Sequence, residues 1–148
     1  MECRTQPPQF FVDFIQNHDQ TGNRAQGERL ISLAGADKTR VLLAALLLSP
    51  HIPLLFMGEE FGETHPFLFF TDFHGELAKA VREGRAKEFT GHAGHDETVP
   101  DPNDVNTFIR SKLDWNKIAT DEGKTWLRYT RHLLTLRHRY IVPLLHPG

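Results

Sequence analysis

The constraint that most narrows the fold is an apolar run, from Phe10 to Ile15, that stops abruptly at three polar groups, Asn17, His18 and Asp19. The continuous aromatic and aliphatic content predicts a strand buried on both faces. A buried strand that delivers ionisable groups at its C-terminal end is how parallel α/β folds present chemistry. The pattern recurs about forty residues on, where Ile52 to Met57 runs into Gly58, Glu59 and Glu60. Between the two lies Lys38 to Leu48, rich in Leu and Ala and long enough for a helix. Its second half lacks a polar face, which predicts deep packing. Ser49-Pro50 stops it, because proline cannot continue the hydrogen-bond ladder and restricts the residue before it. Two strands joined by a helix read as consecutive βα units.

The residues at both strand ends resemble the α-amylase superfamily: Phe14 to Asp19 is similar to the segment after its seventh barrel strand, and Ile52 to Glu60 to its eighth. A closer resemblance is to the malto-oligosyltrehalose trehalohydrolase branch. It rests on Gln16-Asn17-His18-Asp19-Gln20, Gly22-Asn23-Arg24-Ala25, Gly27-Glu28-Arg29-Leu30, the stretch from Pro66 to Asp72, the helix from Glu76 to Arg82, and Pro100-Asp101-Pro102-Asn103. Thr107 to Trp115 and Arg139 to Leu145 extend it over nearly the whole chain. The resemblance implies an α/β fold, a partial (β/α)8 TIM barrel made of about β7-α7-β8-α8. A complete barrel takes about 250 residues, so the 148 residues here form one C-terminal piece of a catalytic barrel. Two strands taken from a closed sheet leave unpaired edges and an uncovered apolar face, so self-association or rearrangement is expected.

Composition narrows the partners. A net charge of −2 gives no electrostatic reason to expect nucleic acid or a charged membrane, and nine histidines make that balance sensitive to pH below roughly 6.5. Cys3 is alone, which is compatible with a reducing compartment. The apolar run from Val41 to Leu48 is far short of the ~20 residues that span a bilayer. Met1 to Pro8 lacks a signal-peptide layout, so a cytoplasmic location is expected.

Several side chains are candidates for chemistry. By resemblance, Asp19 is the third catalytic carboxylate, which holds hydroxyls of the sugar being cleaved and stabilises the transition state without being nucleophile or proton donor. Its structural alternative is a helix cap in a βα loop. His18 is the matching sugar-binding histidine; a neutral imidazole both donates and accepts, which suits a vicinal diol. Gln20 is a candidate sugar contact, while Asn23 and Arg24 read as braces of the loop from Thr21 to Arg29. Gly58 allows a tight exit from the second strand. Glu59 and Glu60 point apart as sequence neighbours, whereas retaining glycosidases need carboxyls about 5–5.5 Å apart; structural hydrogen bonding is expected of them. Among Phe67, Phe69, Phe70 and Phe73, one or two rings suit a sugar face and the others suit packing; Phe69 is the candidate contact. Asp72 either touches substrate or caps the next helix; Thr71 or Asp72 is the candidate cap of a helix running to about Lys87 with Leu77, Ala80 and Val81 inward. His92 to Asp96 carries only a faint metal-ligand pattern and is read as a solvated loop within the irregular stretch from Thr90 to Asn106; no metal and no cofactor is implied. A last helix, about Asp121 to Arg139, places Trp126, Tyr129, Leu133, Leu136 and Tyr140 on one stripe.

The family's nucleophile and acid/base, an Asp after the fourth strand and a Glu after the fifth, have no counterpart here. The expectation is therefore an enzyme that cleaves maltooligosyl trehalose or a related α-glucan beside the trehalose unit with retention, of which these 148 residues alone are inactive. Two other readings stay open: another α-glucan hydrolase or a branching enzyme, the latter disfavoured by Gln20 and Gly22 to Ala25, and a non-catalytic carbohydrate-binding or dimerising remnant.

Overall fold

In the computed structural model, residues 6–89 and 99–145 are described. The described chain is helix-rich around one small parallel sheet. Strand β1 (Val12–Asp13) pairs with β2 (Ile52–Pro53), Val12 opposite Ile52 and Asp13 opposite Pro53. The ladder is made by Ile52 N–H donating to Phe11 O at 2.9 Å and Leu54 N–H to Asp13 O at 2.8 Å. Pro53, which has no N–H, falls between the two donors and costs the ladder nothing.

Both strands are shorter than their apolar runs. Pro8–Phe10 forms a 3-10 turn, and after Leu54 the chain has no strand partner. Burial on both faces is also not observed: Phe10 is 70% and Val12 54% exposed. The reason is topological. A strand has two edges and two faces, and among the described residues only one neighbouring strand is present to cover them.

Between the strands lie three helices, α1 (His18–Gly22), α2 (Leu30–Ala34) and α3 (Ala36–Leu47). Helix α3 buries Leu43, Leu46 and Leu47 but leaves Val41 and Leu42 exposed, so only one face of its apolar second half is packed. After β2 come α4 (Gly75–Phe89), α5 (Val105–Arg110) and α6 (Asp121–Leu136). The core joins α2, α3 and α6 through Ile31, Leu43, Leu47, Trp126 and Leu133, with Ile15, Leu55 and Tyr129 packed against it. Thr120 caps α6 through Gly123 N–H at 3.0 Å.

The last helix does not continue as α to Arg139. Arg137–Ile141 is a π turn, followed by α7 (Val142–Leu145). The wider turn changes the phase of the stripe: Arg137 faces inward and Tyr140 is 54% exposed. Arg137 then donates to Leu47 O, Ser49 O and His51 O at 3.1, 2.6 and 2.6 Å, satisfying carbonyls at the end of α3 and tying them to the start of β2. Helix α4 begins at Gly75, not at a Thr71 or Asp72 cap. Thr71 is engaged elsewhere, its hydroxyl donating to Asn103 Oδ1 at 2.9 Å and its N–H to Pro102 O at 2.8 Å. Its inward positions are Ala78, Val81 and Arg85, while Leu77 and Ala80 face out. Helix α5 starts at Val105, so the stretch read as irregular to Asn106 ends at Asp104; its residues 90–98 lie outside the described residues. No helix among the described residues is long and apolar enough to cross a membrane.

One close approach sets the position of α6. Gly62 has φ +69°, and a Cβ there would sit 2.5 Å from Trp126 Cδ1 and Nε1. Trp126 is fully buried, so the ring cannot move aside. Gly62→Ala is expected to destabilise the fold by roughly 2–3 kcal/mol, combining left-handed strain with overpacking. Gly75, φ +60° with nothing within 4 Å of such a Cβ, is the control, and Gly75→Ala should cost about 1 kcal/mol. Denaturant midpoints of the two variants check the difference; equal midpoints would contradict it.

Candidate functional site

The site begins where β1 ends. Asn17 is extended and caps α1, its Oδ1 accepting from Gln20 N–H at 2.8 Å. The cap is therefore Asn17 and not Asp19, which leaves the Asp19 carboxylate in the first turn and 70% exposed. His18 Nε2 lies 3.3 Å from Asp19 Oδ1 and is equally open. The two side chains stand together at the carboxyl end of a parallel strand, a position that suits a carboxylate because the helix N-terminus carries partial positive charge.

Opposite them runs the aromatic segment. Phe67 N–H donates to Gly27 O at 2.8 Å, and Gly27, at φ +59°, lets the backbone at Phe67 come closer than any Cβ would permit. Phe67 packs edge-on against Phe56 and Phe70, with centroids at 5.2 and 5.6 Å. The result is a cleft of about 220 Å³ lined by His18, Asp19, Gly22 and Asn23 on one side and by residues 67–70 on the other. A carboxylate and an imidazole facing apolar rings can bind vicinal hydroxyls and a C–H face at once.

The structure thus brings His18, Asp19 and Phe69 together. Asn23, read from sequence as a brace, also lines the cleft. Gln20 and Asp72 are exposed and do not line it. Arg24 braces the loop as expected, donating to Glu28 Oε2 and Oε1 at 3.2 and 3.3 Å. His92 to Asp96 lies outside the described residues, and among those described no three His, Cys, Asp or Glu side chains are placed to hold a metal ion.

Glu59 is buried beneath the site and committed to structure. It accepts from Gln16 Nε2 at 2.9 Å and from Phe56 N–H at 2.7 Å, in a tight exit that Gly58 makes at φ +88°. Gln16 also accepts from Leu30 N–H at 3.0 Å, so one amide joins β1, the exit from β2 and α2. Sequence reading assigned no role to Gln16, or to two more buried residues. Arg29 donates to His65 O and Met57 O at 2.6 and 2.7 Å and stacks on Phe56. Glu63 accepts from the N–H groups of Thr64, His65 and Asp114 at 2.7, 2.8 and 2.7 Å. Their only sequence signal is a charged residue inside a glycine-punctuated loop.

The chain is similar to the 1.4 Å crystal structure of a candidate alpha amylase from Salmonella typhimurium, 73% identical, with a TM-score of 0.90 over 95% of this chain and 24% of that one. Malto-oligosyltrehalose trehalohydrolases are similar in sequence: that of Deinococcus radiodurans is 49% identical over 92% of this chain, that of Saccharolobus solfataricus 45% over 88%, and that of Brevibacterium helvolum 44% over 90%. About nine-tenths of the chain is thus similar to one part of proteins that bear this name. The chain spans 22%, 21% and 23% of the length of those three relatives. No family model matches the chain.

Burial pushes the Glu59 carboxyl above its ordinary range, opposed by the bonds from Gln16 and Phe56 N–H and by the charge of Arg29. A carboxyl raised in the folded state binds its proton more tightly folded than unfolded. Its stabilising contribution is then fully present below the ordinary carboxyl value and is lost as pH rises through the raised one. The melting temperature of the parent minus that of Glu59→Gln should therefore be larger at about pH 4 than at about pH 7. A difference that is constant, or larger at neutral pH, would contradict this.

Proposed function

We propose that residues 1–148 are the C-terminal part of the catalytic (β/α)8 barrel of a malto-oligosyltrehalose trehalohydrolase, with β1 and β2 as its seventh and eighth strands. The whole enzyme hydrolyses the α-1,4 bond beside the terminal trehalose of a maltooligosyl trehalose by a retaining mechanism and releases trehalose. The observation that carries this reading is the uncapped carboxylate of Asp19, paired with His18 and facing Phe67–Phe70 across one cleft.

In that role Asp19 accepts hydrogen bonds from sugar hydroxyls, bonds that tighten as the ring approaches an oxocarbenium ion. His18 supplies a donor and an acceptor to the same sugar. Phe69 offers apolar area to a pyranose face. Asn23 is placed to add an amide contact, while Gln20 and Asp72 reach sugar only beyond the cleft or with residues from elsewhere in the enzyme. Asp19 assists bond cleavage but does not perform it. The nucleophile and proton donor come from other strands of the barrel, so the 148 residues alone are inactive. Their exposed apolar side chains in and beside the two strands, Phe10, Val12 and Leu54, favour self-association of the isolated chain.

Trehalose release from maltotriosyl trehalose tests this directly, using the 148-residue chain and a version extended to the length of its relatives. The short chain should release none and the extended protein should be active. Asp19→Asn in the extended protein should lower kcat by about 10²–10³-fold, the usual loss for a group that acts on transition-state charge. Release by the short chain, or an unimpaired Asp19→Asn enzyme, would refute the proposal.

A further inference from the structure

Helix α1 is too short to hold its shape unaided. Its last carbonyls have no partner within the helix. One of them, Gly22 O, finds its partner 63 residues along the chain, where Arg85 Nη2 of α4 donates to it at 2.7 Å; the same nitrogen donates at 3.0 Å to Arg24 O in the loop that follows the helix. The same guanidinium lies over the Phe69 ring at 5.1 Å and the Phe89 ring at 4.7 Å, and its Nη1 donates to Glu88 at 2.7 Å. One buried cation therefore grips both walls of the cleft: the helix that bears His18 and Asp19, and the ring that faces them. As a device for stability alone it is a poor choice. Arg85 is 7% exposed and its Nε has no hydrogen-bond partner. Apolar residues often serve a buried site as well as, or better than, an incompletely satisfied charge.

We infer that Arg85 is a positioning residue that fixes the Asp19 arm against Phe69 and so sets the width of the sugar cleft. The inference rests on the proposed role of Asp19. A guanidinium is needed because only a planar cation can stack on two rings while its in-plane N–H groups reach two carbonyls; an ammonium can donate but cannot stack in that way.

The test is a double-mutant cycle in the protein extended to the length of its relatives, with maltotriosyl trehalose as substrate. Arg85→Met should lower kcat about tenfold or more, since small misplacements of a reacting group are costly. KM should stay within about threefold, because the group lost acts on the transition state. Arg85→Lys should recover part of the loss and reads out the same cycle should Arg85→Met fail to fold. In an Asp19→Asn background either change should alter the residual kcat by less than about twofold. Amide hydrogen exchange over residues 18–24 should also quicken in the Arg85 variants. Normal kcat well below the melting temperature, or an undiminished loss in the Asp19→Asn background, would overturn the inference. A fully active Asp19→Asn enzyme defeats the functional reading and this inference with it. An impaired one beside a normal Arg85→Met enzyme defeats this inference alone.

Discussion

The site depends on one buried hydrogen bond, from Gln16 Nε2 to Glu59 Oε1. The backbone ladder between β1 and β2 is only two residues long and ends before either strand reaches its functional end. Beyond it, Gln16 and Glu59 take over the registry that further ladder bonds would have provided. The remaining oxygen of each is also used, Gln16 Oε1 by Leu30 N–H and Glu59 Oε2 by Phe56 N–H. A buried amide–carboxylate pair satisfied at both ends is rigid, and costly to break because each partner would be left unpaired out of water. Asn17 follows Gln16 directly, and the cap at Asn17 sets where His18 and Asp19 emerge.

The same device recurs in other irregular parts of the described chain. Loops that pass beneath a surface need partners for their backbone groups, and here charged side chains supply them. Arg29 serves carbonyls at Met57 and His65, Glu63 serves three amides, and Arg137 serves three carbonyls at the end of α3 and the start of β2. Burial lowers the proton affinity of Arg29 and Arg137, each still far too basic to lose its charge near neutrality. The aromatic wall is thus held from behind by hydrogen bonds as well as by packing, which suits a surface that must keep its shape in water.

What the sequence made legible, and what it hid, follows the range of the forces involved. The positions of both strands, of α3 and of α6 are written locally, in apolar runs and a period of three to four. Strand extent is not, because a ladder needs a neighbour and its length depends on residues far away. The start of α4 escaped because Thr71 is claimed by Asn103, 32 residues distant. The end of α6 escaped because a π turn shifts phase without changing residue type. At the site, the Asn-His-Asp run exposed His18 and Asp19, and the density of phenylalanines pointed to Phe69. Asp72 looked equally promising in sequence, yet the bonds of Thr71 and Phe73 to Asn103 hold its segment away from the cleft. Arg85 gave no local sign at all, since one arginine on a polar helix reads as a solvated side chain.

The proposed function stands or falls on whether a sugar ring sits in the cleft between α1 and residues 67–70. A crystal structure of the extended protein carrying Asp19→Asn, soaked with maltotriosyl trehalose, tests it most directly. A pyranose is expected within hydrogen-bond distance of His18 and of the residue at position 19, with Phe69 against its apolar face. Sugar bound on another surface, with this cleft holding only water, would contradict it.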